Sequence, residues 1–221
     1  MTERSYNQYC PIAHALDLVG QRWTLLIIRN LFLGPKRFSD LLRGLPGIGT
    51  NILTTRLKAL DEAGLIHSRF LPPPAASAVY ELTDAARGLE PVMMALMQWG
   101  MPTMGAPAPE QVYSSESVGL MLYTMFRLAA AGGGLAGTYA VQIEGEPFQA
   151  DYTVGVRGQT VTVEPQAPAD YRLRVRTSLA TLGALAGRGL APRAAYASGQ
   201  LVLEGSAAEA EAFLAQVESV A

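Results

Sequence analysis

Along the first hundred residues, apolar side chains recur at helical spacing in short runs that glycine and proline separate. Ile12, Ala15, Leu16 and Val19 make a stripe behind Pro11, a residue suited to the first turn of a helix, and Gly20 ends it. From Arg22 to Leu33, Trp23, Leu25, Leu26, Ile27, Ile28, Leu31 and Phe32 cover most of a helix surface, as in a helix buried on several sides. Gly34 and Pro35 stop that helix, and Lys36 and Arg37 lead into a short third one bearing Phe38, Leu41 and Leu42. LPGIG then turns the chain into a fourth helix over residues 50–63, with Leu53, Leu57 and Leu60 on one stripe, Thr50 as its cap and Gly64 at its end. Two strands, Leu65 to Phe70 and Ala78 to Leu82, flank LPPPAAS as a hairpin with a rigid tip. One continuous helix is expected from Thr83 towards Trp99, with Leu89, Val92, Met93, Leu96 and Met97 on its apolar side.

The second half patterns differently. A helix over Ser117 to Ala131 is broken by glycines 132–134, and three strands follow, Thr138 to Glu144, Phe148 to Val156 and Thr160 to Glu164. A fourth strand, Tyr171 to Arg176, sets Arg172, Arg174 and Arg176 on one face, which suits either a solvated sheet surface or an anion. A helix from Ser178, a short helical turn closed by Gly199, a strand from Gln200 to Glu204 and a final helix complete the chain. Ser206 and Glu209 stand at the spacing of a capping box for that last helix. The fold class expected is therefore α+β in two domains: a short first helix, a trihelical core, a hairpin and a closing helix as a winged helix-turn-helix, then an antiparallel sheet with helices on one side. The Pro, Gly and Ala of MPTMGAPAPEQ place the boundary near residues 101–111, giving domains 1–103 and 112–221.

The fourth helix carries the most specific chemistry. Its leucines face inward, so Asn51, Thr54, Thr55 and Lys58 fan out on the other side, polar and almost free of acid. Such a face suits the major groove, where Asn pairs with adenine, Thr meets a base edge or methyl group, and Lys meets guanine or a phosphate. An ordinary solvated helix face reads the same way. The net charge of −2 is no sign of a general nucleic-acid binder, but residues 1–100 carry 10 Lys/Arg against 8 Asp/Glu and the remainder 7 against 11. Seven methionines fall between residues 93 and 125, as either interface packing or the lining of a shape-tolerant pocket. No uninterrupted apolar run spans a bilayer and MTERSYNQYC lacks the order of a secretion signal, so a cytoplasmic protein without membrane partners is expected. The one cysteine, Cys10, excludes an internal disulfide and a thiolate-rich zinc site.

The stretch YCPIAHALDLVGQRWTLLIIRNLFLGPKRFSDLLRGLPGIGTNILTTRLKALDEAGLI, continued by YELTDAARGLEPVMMALMQWG, resembles the DNA-binding domain of the HxlR family of bacterial transcriptional regulators. The resemblance covers roughly Cys10 to Gly100. It implies a homodimer that binds double-stranded DNA at a pseudo-palindromic operator, with the first and last helices of the domain making the dimer contacts. Recognition-helix roles fall on Asn51, Thr54, Thr55, Arg56 and Lys58, and Thr50, Arg37 and Arg69 join them as DNA-binding candidates. Wings of this family commonly carry basic residues at the tip. Here the tip is LPPPAASA with only Arg69 before it, so a flatter salt dependence of binding is expected. Some members sense oxidants through a cysteine at the start of the first helix, which makes Cys10 a candidate redox sensor; packing at the dimer interface is the other reading. With no second cysteine, any disulfide would be intermolecular or to an outside thiol.

From GTYAVQIEGEP through ASGQLVLEG to the closing helix, the last hundred residues are similar to sterol-carrier-protein-like domains. That resemblance implies a tunnel between sheet and helices for an apolar molecule, with no ligand-contacting position assigned. No catalytic group, cofactor or metal is expected: His14 and His67 lack a partner at ligand spacing, and the glycines at 44, 47 and 49 and in GGGLAG read as turns. The expected function is a ligand-responsive transcriptional regulator rather than an enzyme. The alternative is a carrier or storage protein for an apolar ligand in which the winged helix serves dimerisation.

Overall fold

The computed structural model describes residues 5–72, 76–103, 113–146 and 148–218. Contacts divide the chain into two compact units, Met1–Met93 and Met94–Ala221. Most of the linker expected at 101–111 lies outside the described residues; its first part, Met101–Thr103, is a turn of 3₁₀ helix.

In the first unit, α1 (Pro11–Val19), α2 (Thr24–Phe32), α3 (Phe38–Gly44) and α4 (Thr50–Glu62) precede β1 (Ile66–Phe70) and β2 (Ala78–Leu82). The stripes that set the helical periods are the core: Ile27, Ile28, Leu31, Leu41, Leu53, Leu57, Leu60, Ile66 and Leu82 pack in one buried cluster. The strands pair antiparallel, Ile66 opposite Leu82 through Phe70 opposite Ala78. Lys36 adds a bridge to Tyr80, exchanging both backbone hydrogen bonds at 2.8 and 3.0 Å, so the segment before α3 braces the hairpin. The hairpin tip, residues 73–75, lies outside the described residues.

The end of α4 explains why β1 starts at Ile66 and not at Leu65. Gly64 takes φ +68°, the Leu65 N–H returns to the Leu60 carbonyl and the Gly64 N–H to that of Asp61, both at 2.9 Å. This is a Schellman closure, which needs a left-handed residue that glycine adopts without a Cβ clash. The start of α4 differs from expectation too. Gly49 is the N-cap and Thr50 the first helical residue, so no side chain caps the helix.

The single helix expected from Thr83 to Trp99 is two helices, α5 (Asp84–Arg87) and α6 (Glu90–Gly100). Thr83 caps α5 as its hydroxyl accepts from the Ala86 N–H at 3.3 Å. Pro91 lacks an N–H and its ring clashes with a carbonyl four residues back, so it is tolerated only in a first turn. A fresh start at Glu90 gives it one.

The second unit places α7 (Ser115–Ala131) before β3 (Gly137–Glu144), β4 (Ala150–Arg157) and β5 (Thr160–Glu164), then β6 (Leu173–Ser178), α8 (Leu179–Ala186), α9 (Pro192–Ala197), β7 (Leu201–Glu204) and α10 (Ala207–Glu218). The sheet order is β5-β4-β3-β6-β7. It is mixed where an antiparallel sheet was expected, because β6 lies parallel to β3. Residues 165–172 carry the chain from the β5 edge across to the far side of β3, the crossover that a parallel pair requires in place of a tight hairpin. The alternation in β4 is real: Tyr152, Val154 and Val156 are buried, and α7 packs over β4 and β5. Ser206 and Glu209 cap α10 reciprocally, each backbone N–H meeting the other's side chain at 3.2 and 3.3 Å.

Candidate nucleic-acid interface

Helix α3, the turn over residues 45–49 and α4 form the helix-turn-helix. Leu45 and Ile48 are buried and pin the turn to the core, while Gly47 takes φ +88° over the edge of the Trp23 ring. Trp23 itself holds φ +79°, an uncommon conformation for a bulky residue, directly before α2. Turn and core together fix which face of α4 looks outward.

On that face Asn51, Thr54, Thr55 and Lys58 are all exposed, as their spacing predicts. The hydroxyls of both threonines donate back into the helix, Thr54 to the Thr50 carbonyl at 2.9 Å and Thr55 to that of Asn51 at 2.8 Å. Lys58 Nζ lies 3.6 Å from Glu62 one turn on. Thr50 is exposed at the first turn, where the uncapped N–H groups of α4 suit a phosphate oxygen. Arg56 stands apart from the outward set. It is half-buried at the flank, and its Nε is buried without a hydrogen-bond partner. Ile52 was missed by sequence reading, being apolar on a polar face; it is 44% exposed and lies one turn from Thr55.

Two further DNA-binding candidates, Arg37 and Arg69, lie off this helix. Arg37 is exposed at the N-cap of α3, where its N–H is held by the Asp40 carboxylate at 3.2 Å. Arg69 lies on β1 and pairs through Nε with Glu81 at 2.8 Å, the same carboxylate oxygen that His67 Nε2 approaches at 2.8 Å. The Arg69 hydrogen bond, with His67 beside it, holds Glu81 below the usual carboxylate range. Much of the one basic charge on the described wing is thus neutralised in place.

Cys10 is a free, half-buried thiol at the N-cap of α1. Beyond it, α1 exposes Ile12 (71%) and Leu16 (42%), and α6 exposes Val92, Leu96 and Trp99 along one face.

In the second unit, Met97, Met101 and Met125 line a cleft with Leu128, Leu185 and Val217. Three of the clustered methionines therefore line a pocket in addition to packing. Its volume is about 40 Å³, room for water-sized groups and far below the ~300–1,000 Å³ of sites for drug-sized molecules. The fourth strand expected from Tyr171 begins at Leu173, so Arg172 stands just before β6 and Arg174 and Arg176 on it, and all three are spent in ion pairs: Arg172 with Glu209, Arg174 with Glu204, and Arg176 with both Glu144 and Glu204. That sheet face is a solvated charge ladder. No helix among the described residues is long and apolar enough to cross a membrane.

The HxlR-like helix-turn-helix family profile matches residues 18–107 and that of the SCP-2 sterol transfer family residues 128–216. An HTH-type transcriptional regulator of Synechocystis is 38% identical over 91 residues, 41% of this chain and 67% of that protein. One from Mycobacterium tuberculosis is 42% identical over 99 residues, 45% of this chain and 61% of its own length. The HTH-type transcriptional regulator YodB of Bacillus subtilis is 34% identical over 94 residues, 42% of this chain and 84% of that protein. The solved reduced form of YodB superposes with a TM-score of 0.39 at 30% identity, covering 46% of this chain and all of that one. The chain belongs to the HxlR-like helix-turn-helix family of transcriptional regulators and carries an SCP-2 domain behind its winged helix.

Proposed function

We propose that the chain is a homodimeric regulator that binds a pseudo-palindromic operator through α4 and answers to an apolar small molecule held by its second unit. In this reading residues 1–103 serve DNA binding and dimerisation and residues 112–221 serve the effector, with Met97 and Met101 at the end of the first segment also lining its cleft. The observation that carries it is the outward face of α4, where Asn51, Thr54, Thr55 and Lys58 stand exposed on a helix whose other side is fixed in the core. The exposed apolar faces of α1 and α6 support pairing of two copies, since side chains such as Ile12 and Trp99 (76% exposed) gain by burial. A dimer fits when its two reading helices lie about 34 Å apart, one turn of the duplex.

The match to the SCP-2 family and the methionine-lined cleft support an apolar effector. Flexible thioethers yield to different shapes, and a cleft of about 40 Å³ has to open to admit a lipid-sized molecule. Such a ligand changes DNA binding only through unequal affinity for the DNA-competent and incompetent dimers.

The test is binding of the full chain to the promoter region of its own gene against random DNA of equal length. Tight, selective binding is expected; equal affinity for both overturns the reading. A carrier that uses the winged helix only to dimerise is favoured by one observation, the neutralised wing at Arg69 and Glu81. Asn51→Ala with Lys58→Ala separates the two, because a regulator loses DNA binding and keeps any copurifying small molecule, seen by native mass spectrometry.

A further inference from the structure

The groups that α4 presents differ in kind from what its sequence lists. A threonine hydroxyl has one proton, and those of Thr54 and Thr55 are given to the carbonyls of Thr50 and Asn51. What remains for a base is acceptor lone pairs and a methyl group. Guanine presents only acceptors in the major groove, which leaves its recognition to Arg56, half-buried with its Nε enclosed, and to Lys58, which lies 3.6 Å from Glu62. Asn51 keeps both a donor and an acceptor, the pair that adenine matches. Beside Thr55, Ile52 exposes 44% of its surface, an aliphatic group where solvent alone would favour a polar one.

We infer that α4 reads A·T base pairs, and that Ile52 is a specificity-determining residue that contacts the 5-methyl group of thymine. Thymine alone among the four bases carries that methyl in the major groove, so the methyl contact and not the threonine oxygen, which accepts from the amino group of adenine or cytosine alike, marks the A·T pair. The methyl contacts of Ile52, Thr54 and Thr55 and the amide of Asn51 thus converge on one kind of base pair. This assignment rests on the operator-binding reading above and adds to it the chemistry of the site that is read.

Deoxyuridine tests it, because it pairs as thymidine does and lacks only the methyl. The protected segment of the promoter is synthesised with each dT replaced singly by dU, and the full-length protein is titrated against each duplex. Wild type is expected to lose about fourfold in affinity at one or more positions per half-site, the factor that burial of one methyl supplies. Ile52→Ala is expected to bind the dT duplex as weakly as wild type binds the dU duplex, and to treat the two alike at that position. Its exposure and the high helix propensity of alanine keep the fold intact. Lys58→Ala should weaken both duplexes equally. Undiminished binding of every dU duplex by wild type overturns the inference, as does an Ile52→Ala protein that still discriminates dT from dU. Equal binding of operator and random DNA is a separate result and removes the operator reading itself.

Discussion

Arg69 and Glu81 pair diagonally across the two strands of the wing, the guanidinium Nε donating to the carboxylate at 2.8 Å. The carboxylate cancels a charge that a wing would otherwise offer to a phosphate. Glu81→Gln should therefore tighten operator binding and steepen its log–log salt dependence by up to about 0.9, the contribution of one neutralised phosphate. Fluorescence anisotropy across a salt series measures it. An unchanged slope would mean that Arg69 stays out of reach of DNA.

Asn51 and Lys58 should fail in different ways. Loss of a bidentate base contact costs about 1–3 kcal/mol of discrimination, so Asn51→Ala should level the affinities for operators that differ at one base pair. Lys58→Ala should weaken all sequences together, and Glu62→Gln, which releases Lys58 from its 3.6 Å partner, should do the reverse. Competition titrations with single-base operator variants separate these patterns.

Ile12, 71% exposed on α1, tests the dimer without disturbing the core. A charge buried in an apolar interface is strongly unfavourable unless paired. Ile12→Glu should shift the protein towards monomer in sedimentation and reduce operator affinity, with an unchanged circular dichroism spectrum. A dimer of wild-type stability in that variant would place the interface elsewhere.

Tyr152, buried in β4, donates its hydroxyl to the Ser115 carbonyl at 2.9 Å and lies 3.0 Å from Ser115 Oγ. Burial pushes the phenol up to about 12. Its folded value lies above its ordinary one near 10, so its contribution to stability is fully present below pH ~10 and is lost as pH rises towards about 12. Hydrogen exchange of the β4 amides should accelerate over that window. Tyr152→Phe should cost about 1 kcal/mol at neutral pH, a typical net hydrogen bond, and should blunt the alkaline acceleration.

The location of the reading helix was legible because it depends on local rules. The leucine spacing at 53, 57 and 60 and the stop at Gly64 fix a helix and its inward side whatever surrounds them. The same holds for the Ser206–Glu209 cap and for the alternation in β4. The breaks in expectation came where distant parts meet. Thr50 had the chemistry of a cap, but the turn pinned by Leu45 and Ile48 gave that position to Gly49. Arg56, a DNA-contact candidate by its charge, is half-buried with its Nε enclosed, which its place in the chain does not show. Arg172 before β6 and Arg174 and Arg176 on it found their acids at the start of α10, on β7 and on β3.

The sequence by itself determined two units of different patterning, a winged helix with Asn51, Thr54, Thr55 and Lys58 on one face, and a sheet with helices behind it, because periodicity and turn chemistry act over a few residues. Only the tertiary structure decided which charges remain available. Glu81 takes Arg69 from the other strand of the wing and Arg56 Nε is enclosed, neither of which chain spacing announces, whereas the Lys58–Glu62 pair and the threonine bonds to the helix backbone are one-turn contacts within α4. The parallel placement of β6 and the methionine lining of the cleft belong to the same class, since strand order and cavity walls follow from how elements pack and not from any one element's pattern.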